Sequence, residues 1–372
     1  MEFCINTFRW GDYIHEVWDS WYSDHRGVLL VADITPKNIV LNDKQLTKTV
    51  ASPENRLSSV TSQAVVGISH AYVCPKGKQI WLEGIRINPK YRRMGIASKL
   101  IYQMIKHGKE IGINAREAAA ITAQGNTASR RMMEKNGFHE NARWTYYTGY
   151  KKNRQQANMN GLAIWNNVFE NNQGNLCDGD TSAICGSKNV SFASPEDIEK
   201  IITFLSGSKT FISGGRKYVQ SWKWYELDLE YSKISDLVAS KKIVIVRTED
   251  MQEIGGLAIT NNSLHKKYCA EQNQMEDKEQ KQGDNGEEDE RYDDEVSSLQ
   301  IVYVDTPTSA SLENLLVFVV NTVLSSSLFD RIQLFTPDQT NHEKYEFYEI
   351  SEVLAKFGIS KSESFLLFTR SI

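Results

Sequence analysis

The chain has 372 residues, 40% of them hydrophobic and 24% charged, which leaves room for two domains with ordinary cores and excludes a collagenous or wholly disordered protein. Its net charge of −4 conceals an asymmetry: the first 155 residues carry 23 Lys and Arg against 13 Asp and Glu, and the remainder carries 20 against 34. A basic first half suits a polyanionic small ligand; nucleic acid is the competing reading, weakened by the scatter of the basic residues and the lack of a stacking-aromatic motif.

Met1-Glu2-Phe3-Cys4 offers neither a basic start nor an apolar core, which argues against a secretory signal and for a cytoplasmic protein. Glu2 to Trp21 reads as helical material broken at Gly11, and no opening strand precedes it. Gly27–Ala32 and Ala64–Ala71 read as strands, and the polar stretch from Pro36 to Gln63 between them as an inserted surface loop.

Ile80 to Ile87 alternates in the period-2 manner of a half-buried strand, and Pro89 stops it. From Lys99, Leu100, Ile101, Met104 and Ile105 recur at helical spacing, with Gly108 and Gly112 marking the helix end. The turn between is Arg92-Arg93-Met94-Gly95-Ile96-Ala97. A glycine there lets a ligand approach the backbone, and the first N–H groups of a helix have no partner within it. Such a turn is either a phosphate-binding site, with the arginines adding charge-assisted bonds, or a plain strand–loop–helix connection.

A strand candidate, Ala118–Ala123, is followed by a helical stretch from Asn126 through Met133, then Gly137-Phe138 and an aromatic strand, Trp144–Tyr150, that would close the sheet. Asn153 to Lys188 has the Asn, Gln, Gly and Ser content of a linker. The longest apolar run, Leu315–Val320, is broken by Asn321 and reads as a buried helix rather than a membrane span. Cys4, Cys74, Cys177, Cys185 and Cys269 are odd in number and lack a zinc spacing, so reduced thiols and no metal are expected.

Arg92-x-x-Gly95-x-Ala97, after a strand and Asn88-Pro89, is similar to the Arg/Gln-x-x-Gly-x-Gly/Ala signature of the GNAT superfamily of acetyl-CoA-dependent N-acyltransferases. Asn126-Thr127-Ala128-Ser129 leading to Gly137-Phe138 resembles the family's second block. The likeness covers roughly residues 1–150 and implies a mixed-sheet α/β (α+β) fold. It also implies acetyl-CoA as co-substrate, with the turn amides of Arg92, Arg93, Met94, Gly95, Ile96, Ala97 and Ser98 cradling the pyrophosphate. The backbone of Ile85, Arg86 and Ile87 would hold the thioester and pantetheine arm, and Asn126 and Ser129 would contact the coenzyme.

The second half reads as a degenerate copy. Val190–Ala193 is a strand, Ser194-Pro195-Glu196-Asp197 opens a helix carrying Ile198, Ile201, Ile202 and Leu205, and Lys242–Val246 with Ile254–Ile259 echoes the earlier strand pair. Tyr218 through Trp224 echoes Tyr13 through Trp21, and Ser364–Phe368 would be the closing strand. In place of the turn stands Val304-Asp305-Thr306-Pro307-Thr308-Ser309-Ala310, without the glycine or arginines, and Asp305 would repel a pyrophosphate. The expected organisation is a catalytic GNAT domain at 1–152, a linker at 153–188 and a degenerate GNAT-like domain at 189–372, with a disordered acidic insertion near 265–297; an unrelated α/β second domain is the alternative. A GNAT domain ahead of a diverged GNAT-like half is a layout similar to that of vertebrate histidine N-acetyltransferases and of microbial GNAT proteins.

Acetyl transfer needs a base for the amine and a proton for the departing thiolate. Glu83, in the strand just before the turn, is the candidate base; the competing reading pairs it with Arg86 or another surface base. The family's tyrosine proton donor is replaced by Met133, which leaves Tyr146, Tyr147 or solvent to serve. The acceptor implied is a small amine or amino acid, with a protein N-terminus or lysine next; a non-catalytic acetyl-CoA-binding module is the alternative. Neither a membrane nor nucleic acid is an expected partner.

Overall fold

The computed structural model describes residues 4, 12–35, 38–42, 64–74, 78–112, 114–150, 189–220, 222–261, 298–324, 331–338 and 350–372. The expected linker, the acidic insertion, most of the loop before Ala64, the segment before Asp12 apart from Cys4, and Cys177, Cys185 and Cys269 lie outside these residues. The chain forms two compact units: Met1–Asn141 with Leu366–Ile372, and Ala142–Phe365.

Unit 1 contains α1 (Ile14–Ser23), β1 (Gly27–Thr35), β2 (Asn38–Asn42), β3 (Ala64–Val73), β4 (Gln79–Ile87), α2 (Ile96–Ile111), β5 (Glu117–Ala123) and α3 (Thr127–Lys135). Its sheet runs β2-β1-β3-β4-β5, followed by the final part of β14 (Ser360–Ser371). The ladders are antiparallel up to β4, and β4 and β5 are parallel because α2 carries the chain back across the sheet. β2 falls in the stretch read as loop: the apolar run Ile39-Val40-Leu41 stands between Asn38 and Asn42, and the strand forms a hairpin with β1.

The helical periodicity read between Leu100 and Ile105 is that of α2, whose buried stripe is Ile96, Leu100, Ile101, Met104, Ile105 and Gly108. Each large member contributes about 1.5–3 kcal/mol by leaving water. Gly108 does not end the helix; a Cβ there would stand 2.7 Å from Ile80 Cδ1, so the missing side chain lets α2 lie close on β4. The helix ends at Ile111, where the Gly112 N–H bonds to the Gly108 carbonyl. α1 lies on the opposite face, where Ile14 and Trp21 pack with Cys4 and Ile68.

Unit 2 contains most of β6 (His139–Tyr150), then β7 (Val190–Phe192), α4 (Ile198–Gly207), α5 (Lys209–Ser213), β8 (Lys217–Gln220), β9 (Lys223–Glu226) and α6 (Tyr231–Ala239). β10 (Ile243–Arg247), β11 (Ile254–Thr260), β12 (Ser298–Asp305), α7 (Ser309–Leu324), β13 (Arg331–Pro337) and α8 (Ile350–Lys356) follow. Its strand order is β6-β13-β12-β11-β10-β7. β10, β11 and β12 are antiparallel, α7 crosses over, and β13 is parallel to β12, which repeats the β1, β3, β4, α2, β5 arrangement of unit 1. The apolar run is the buried face of α7, with Leu312, Leu315, Leu316, Phe318 and Val319 in the core. Among the described residues, no helix is long and apolar enough to cross a membrane.

Two expectations from the sequence change here. The echo of Tyr13–Trp21 in Tyr218–Trp224 is not structural, since the first is helix and the second the separate β8–β9 hairpin. The closing strands are exchanged: Ala142 onward in β6 is counted with unit 2, and Leu366–Ile372 with unit 1. Leu366 and Phe368 are buried with Ala118, Ala120, Met133 and Phe138, and the Ile372 N–H bonds to the Arg116 carbonyl at 3.0 Å.

Candidate active site

The Arg92–Ala97 segment of unit 1 leaves β4 through a short 3-10 turn, Pro89–Tyr91, capped by Asn88, whose Oδ1 accepts the Lys90 N–H at 3.1 Å. Gly95 then serves as the N-cap of α2 in a left-handed conformation, φ 77°, with no side chain capping the helix. A Cβ built on Gly95 meets nothing within 4 Å, so the space over the helix start is open. Arg92, Arg93 and Met94 are exposed around it, Ile96 is buried as the anchor, and the amides of Ile96, Ala97 and Ser98 open the helix. An open helix start flanked by two guanidinium groups fits a pyrophosphate.

Between that turn and the core, β4 and β5 separate. Their parallel ladder covers Gln79–Trp81 against Glu117–Ala119 and stops, although β4 continues to Ile87 and β5 to Ala123. The β4 backbone from Leu82 to Ile87, including Ile85, Arg86 and Ile87, lies beyond this ladder. An extended amide-containing arm can bind such an edge as a strand would. The other edge of β4 is distorted where Gly84, φ 66°, bulges against β3: the register passes from Ile68 opposite Arg86 to His70 opposite Glu83. Gly84 is required twice over, by its positive φ and because a Cβ would lie 2.3 Å from Trp21 Cη2.

Glu83 Oε1 lies 2.9 Å from His70 Nδ1, within hydrogen-bond distance; His70 is 1% exposed and Glu83 15%. Arg86 donates to Asp12, Nε to Oδ2 at 2.7 Å and Nη2 to Oδ1 at 3.2 Å, and its guanidinium lies over the Tyr13 ring. Burial works against the Arg86 charge, but the bond to Asp12, with Tyr13 and the Asp12 charge, outweighs it and holds the guanidinium more firmly protonated than usual. Desolvation pushes the Tyr13 hydroxyl up to about 12 although Arg86 pulls it down, so the hydroxyl stays neutral even though the residue as a whole is 36% exposed. Trp21 stacks on His70 with ring centroids 4.5 Å apart and planes 6° from parallel, and meets Tyr13 edge-on. Cys4 is no nucleophile here, since burial, then Asp12, raises its thiol pKa.

Asn126 is exposed and caps α3, its Oδ1 accepting the Ser129 N–H at 3.1 Å. Met133 is buried in the unit 1 core. Tyr146 and Tyr147 belong to unit 2, where the Tyr146 hydroxyl accepts from Arg331 Nη2 at 2.7 Å and Gln333 Nε2 at 3.0 Å, and Tyr147 packs in that unit's core. His70, Asp12, Tyr13 and Trp21 carry no motif for chemistry in the sequence; they meet around the bulge at Gly84, through Glu83, Arg86 and one another.

Where unit 1 has its open turn, unit 2 has a closed one. Thr308 caps α7 itself, its Oγ1 accepting the Ser311 N–H at 3.1 Å. Asp305 is buried and accepts from the hydroxyls of Ser208 and Tyr303. Burial, the largest influence, raises its carboxyl pKa. No glycine or guanidinium stands at residues 304–310, so this turn lacks the features that suit a pyrophosphate.

Residues 6–138 match the family described as Acetyltransferase (GNAT) family. This stretch is a GNAT acetyltransferase domain. The aminoglycoside N(6')-acetyltransferase type 1 of Salmonella typhimurium is 35% identical over 86 residues, 23% of this chain and 58% of the relative. The chain therefore spans somewhat over half the length of that curated relative. Among solved structures, a GCN5-related N-acetyltransferase from Sphaerobacter thermophilus aligns over 82% of this chain and 77% of its own, at 11% identity and a TM-score of 0.43. A tandem GNAT protein from the clavulanic acid biosynthesis pathway aligns over 82% and 79%, at 10% identity and a TM-score of 0.37.

Proposed function

We propose that the protein is an N-acetyltransferase that moves an acetyl group from acetyl-CoA to a primary amine of a small molecule, by direct attack in a ternary complex. The observation that carries this reading is the meeting, within one unit, of the open Gly95 turn, the length of β4 beyond its ladder with β5 and a partly exposed carboxylate at the bulge between them. The pyrophosphate sits on the α2 amides with Arg92 and Arg93, and the pantetheine amides pair with Ile85–Ile87. The acceptor nitrogen attacks the thioester carbonyl, Glu83 takes the proton it sheds, and the C–S bond breaks to release coenzyme A as thiolate. Met133 has no proton to give the thiolate, so solvent supplies it.

The aminoglycoside N(6')-acetyltransferase relatives, whose name places the acetyl group on an aminoglycoside nitrogen, support a small-molecule acceptor, and Glu83 would favour a cationic one by charge. A protein N-terminus or lysine is the next candidate. The test is coenzyme A release by the full chain across amines, amino acids, aminoglycosides and peptides, repeated with Glu83→Gln. The variant keeps the shape and loses the base, so kcat is expected to fall roughly tenfold to a thousandfold while acetyl-CoA still binds. Binding of acetyl-CoA with no turnover on any acceptor would instead establish a sensing module.

A further inference from the structure

We propose that His70 is a positioning residue for Glu83, held as a neutral imidazole that can donate only from Nδ1. The inference rests on Glu83 acting as the base. Three observations constrain the ring. Nδ1 is 2.9 Å from Glu83 Oε1. Nε2 is buried and has no hydrogen-bond partner among the described residues. A Cβ built on Gly27 would fall 2.5 Å from Nε2, so the Gly27 backbone closes that side of the ring.

A proton on Nε2 would be buried against a Cα with no acceptor, which costs the full desolvation of a donor. Placing the one proton on Nδ1 leaves only a bare lone pair at Nε2 and turns the N–H toward the carboxylate. Trp21, stacked on the ring, fixes its plane, and the Gly84 bulge gives Trp21 its place. The charged groups of the neighbouring elements, Arg86 and Asp12, are bonded to each other. His70 therefore holds one lone pair of Glu83 and fixes the orientation of the carboxylate at the bulge. It is not a relay, because a proton passed to Nε2 would have nowhere to go. Glycine at position 27 is part of the device: a side chain there would push the imidazole away from Glu83.

The experiment has two arms on the full-length protein. Nitrogen NMR of the histidine-labelled wild type at neutral pH, with His70 assigned by its loss in His70→Asn, is expected to show Nδ1 protonated and Nε2 bare. A proton on Nε2, alone or with Nδ1, overturns the proposal whether or not the protein turns over any amine. In the kinetic arm, His70→Leu removes the donor and is expected to lower kcat about ten- to a hundredfold with the KM for acetyl-CoA little changed. His70→Asn carries an amide N–H where Nδ1 stood and is expected to recover most of kcat. If Asn is as impaired as Leu, or if Leu keeps the wild-type kcat, His70 is a packing residue only. Should Leu fail to fold, the NMR arm and the Asn variant still decide the matter. A wild type without turnover counts against the acetyltransferase reading, not against the tautomer.

Discussion

Gly84→Ala isolates the packing that builds the site. The positive φ of 66° costs an L residue about 1–2 kcal/mol. The new Cβ would lie 2.3 and 2.7 Å from two ring carbons of Trp21 and 3.3 Å from Ile14 Cδ1. A rigid ring cannot swing aside as a flexible tip would, and overpacking of this kind costs about 1–3 kcal/mol more. Gly95→Ala is the internal control: its φ of 77° brings the same strain, but nothing lies within 4 Å. Both variants share the gain, roughly 0.4–1 kcal/mol, from a less free unfolded chain. The difference between them is therefore packing alone, about 1–3 kcal/mol against Gly84→Ala. Urea unfolding followed by tryptophan fluorescence measures it. Equal losses in the two variants would refute the claim that Trp21 is seated on the bulge.

Gly95→Asp puts a carboxylate over the helix start and should abolish acetyl-CoA binding in calorimetry with the fold intact; unchanged affinity would remove the turn from the site. Ending the chain at Phe365 strips Leu366 and Phe368 from the unit 1 core, about 1.5–3 kcal/mol for each, together with the pairing to β5, and unit 1 should unfold or bind acetyl-CoA only weakly. A truncated protein that binds as the full chain does would contradict the exchange. Burial raises the Asp305 carboxyl pKa in the folded state, so this group's stabilising share is full below the ordinary carboxylate range and is lost as pH rises through the raised value. Asp305→Asn should flatten that fall in the unfolding midpoint of unit 2 from acid to neutral pH, and an unaltered slope would show that Asp305 does not titrate there.

What the sequence discloses follows from how local each feature is. The turn at Gly95, the stripe of α2 and the cap of α3 by Asn126 are set by neighbours a few residues apart, and each is readable in the chain. The place of Glu83 was readable too, but its partner was not: Arg86 is nearest on the strand, yet the Gly84 bulge shifts the register and leaves His70 across from Glu83. Asp12 lies 74 positions from Arg86, with no periodicity to link them. The exchange of closing strands was hidden for another reason. Ser364–Phe368 and Trp144–Tyr150 are both short runs rich in aromatic or aliphatic residues of the kind that closes a sheet, and composition does not say which sheet each closes.

That exchange orders events during synthesis. The helix and strands that carry Glu83 and Gly95 leave the ribosome early, but residues 366–372 of their sheet emerge only after all of Ala142–Phe365 has been made. Until then β5 lacks its outer neighbour, and the apolar side of Ala118, Ala120 and Phe138 lacks its cover. The nascent chain must shelter that edge from pairing with others. A chain broken off anywhere in unit 2 would then leave unit 1 without Leu366 and Phe368 in its core.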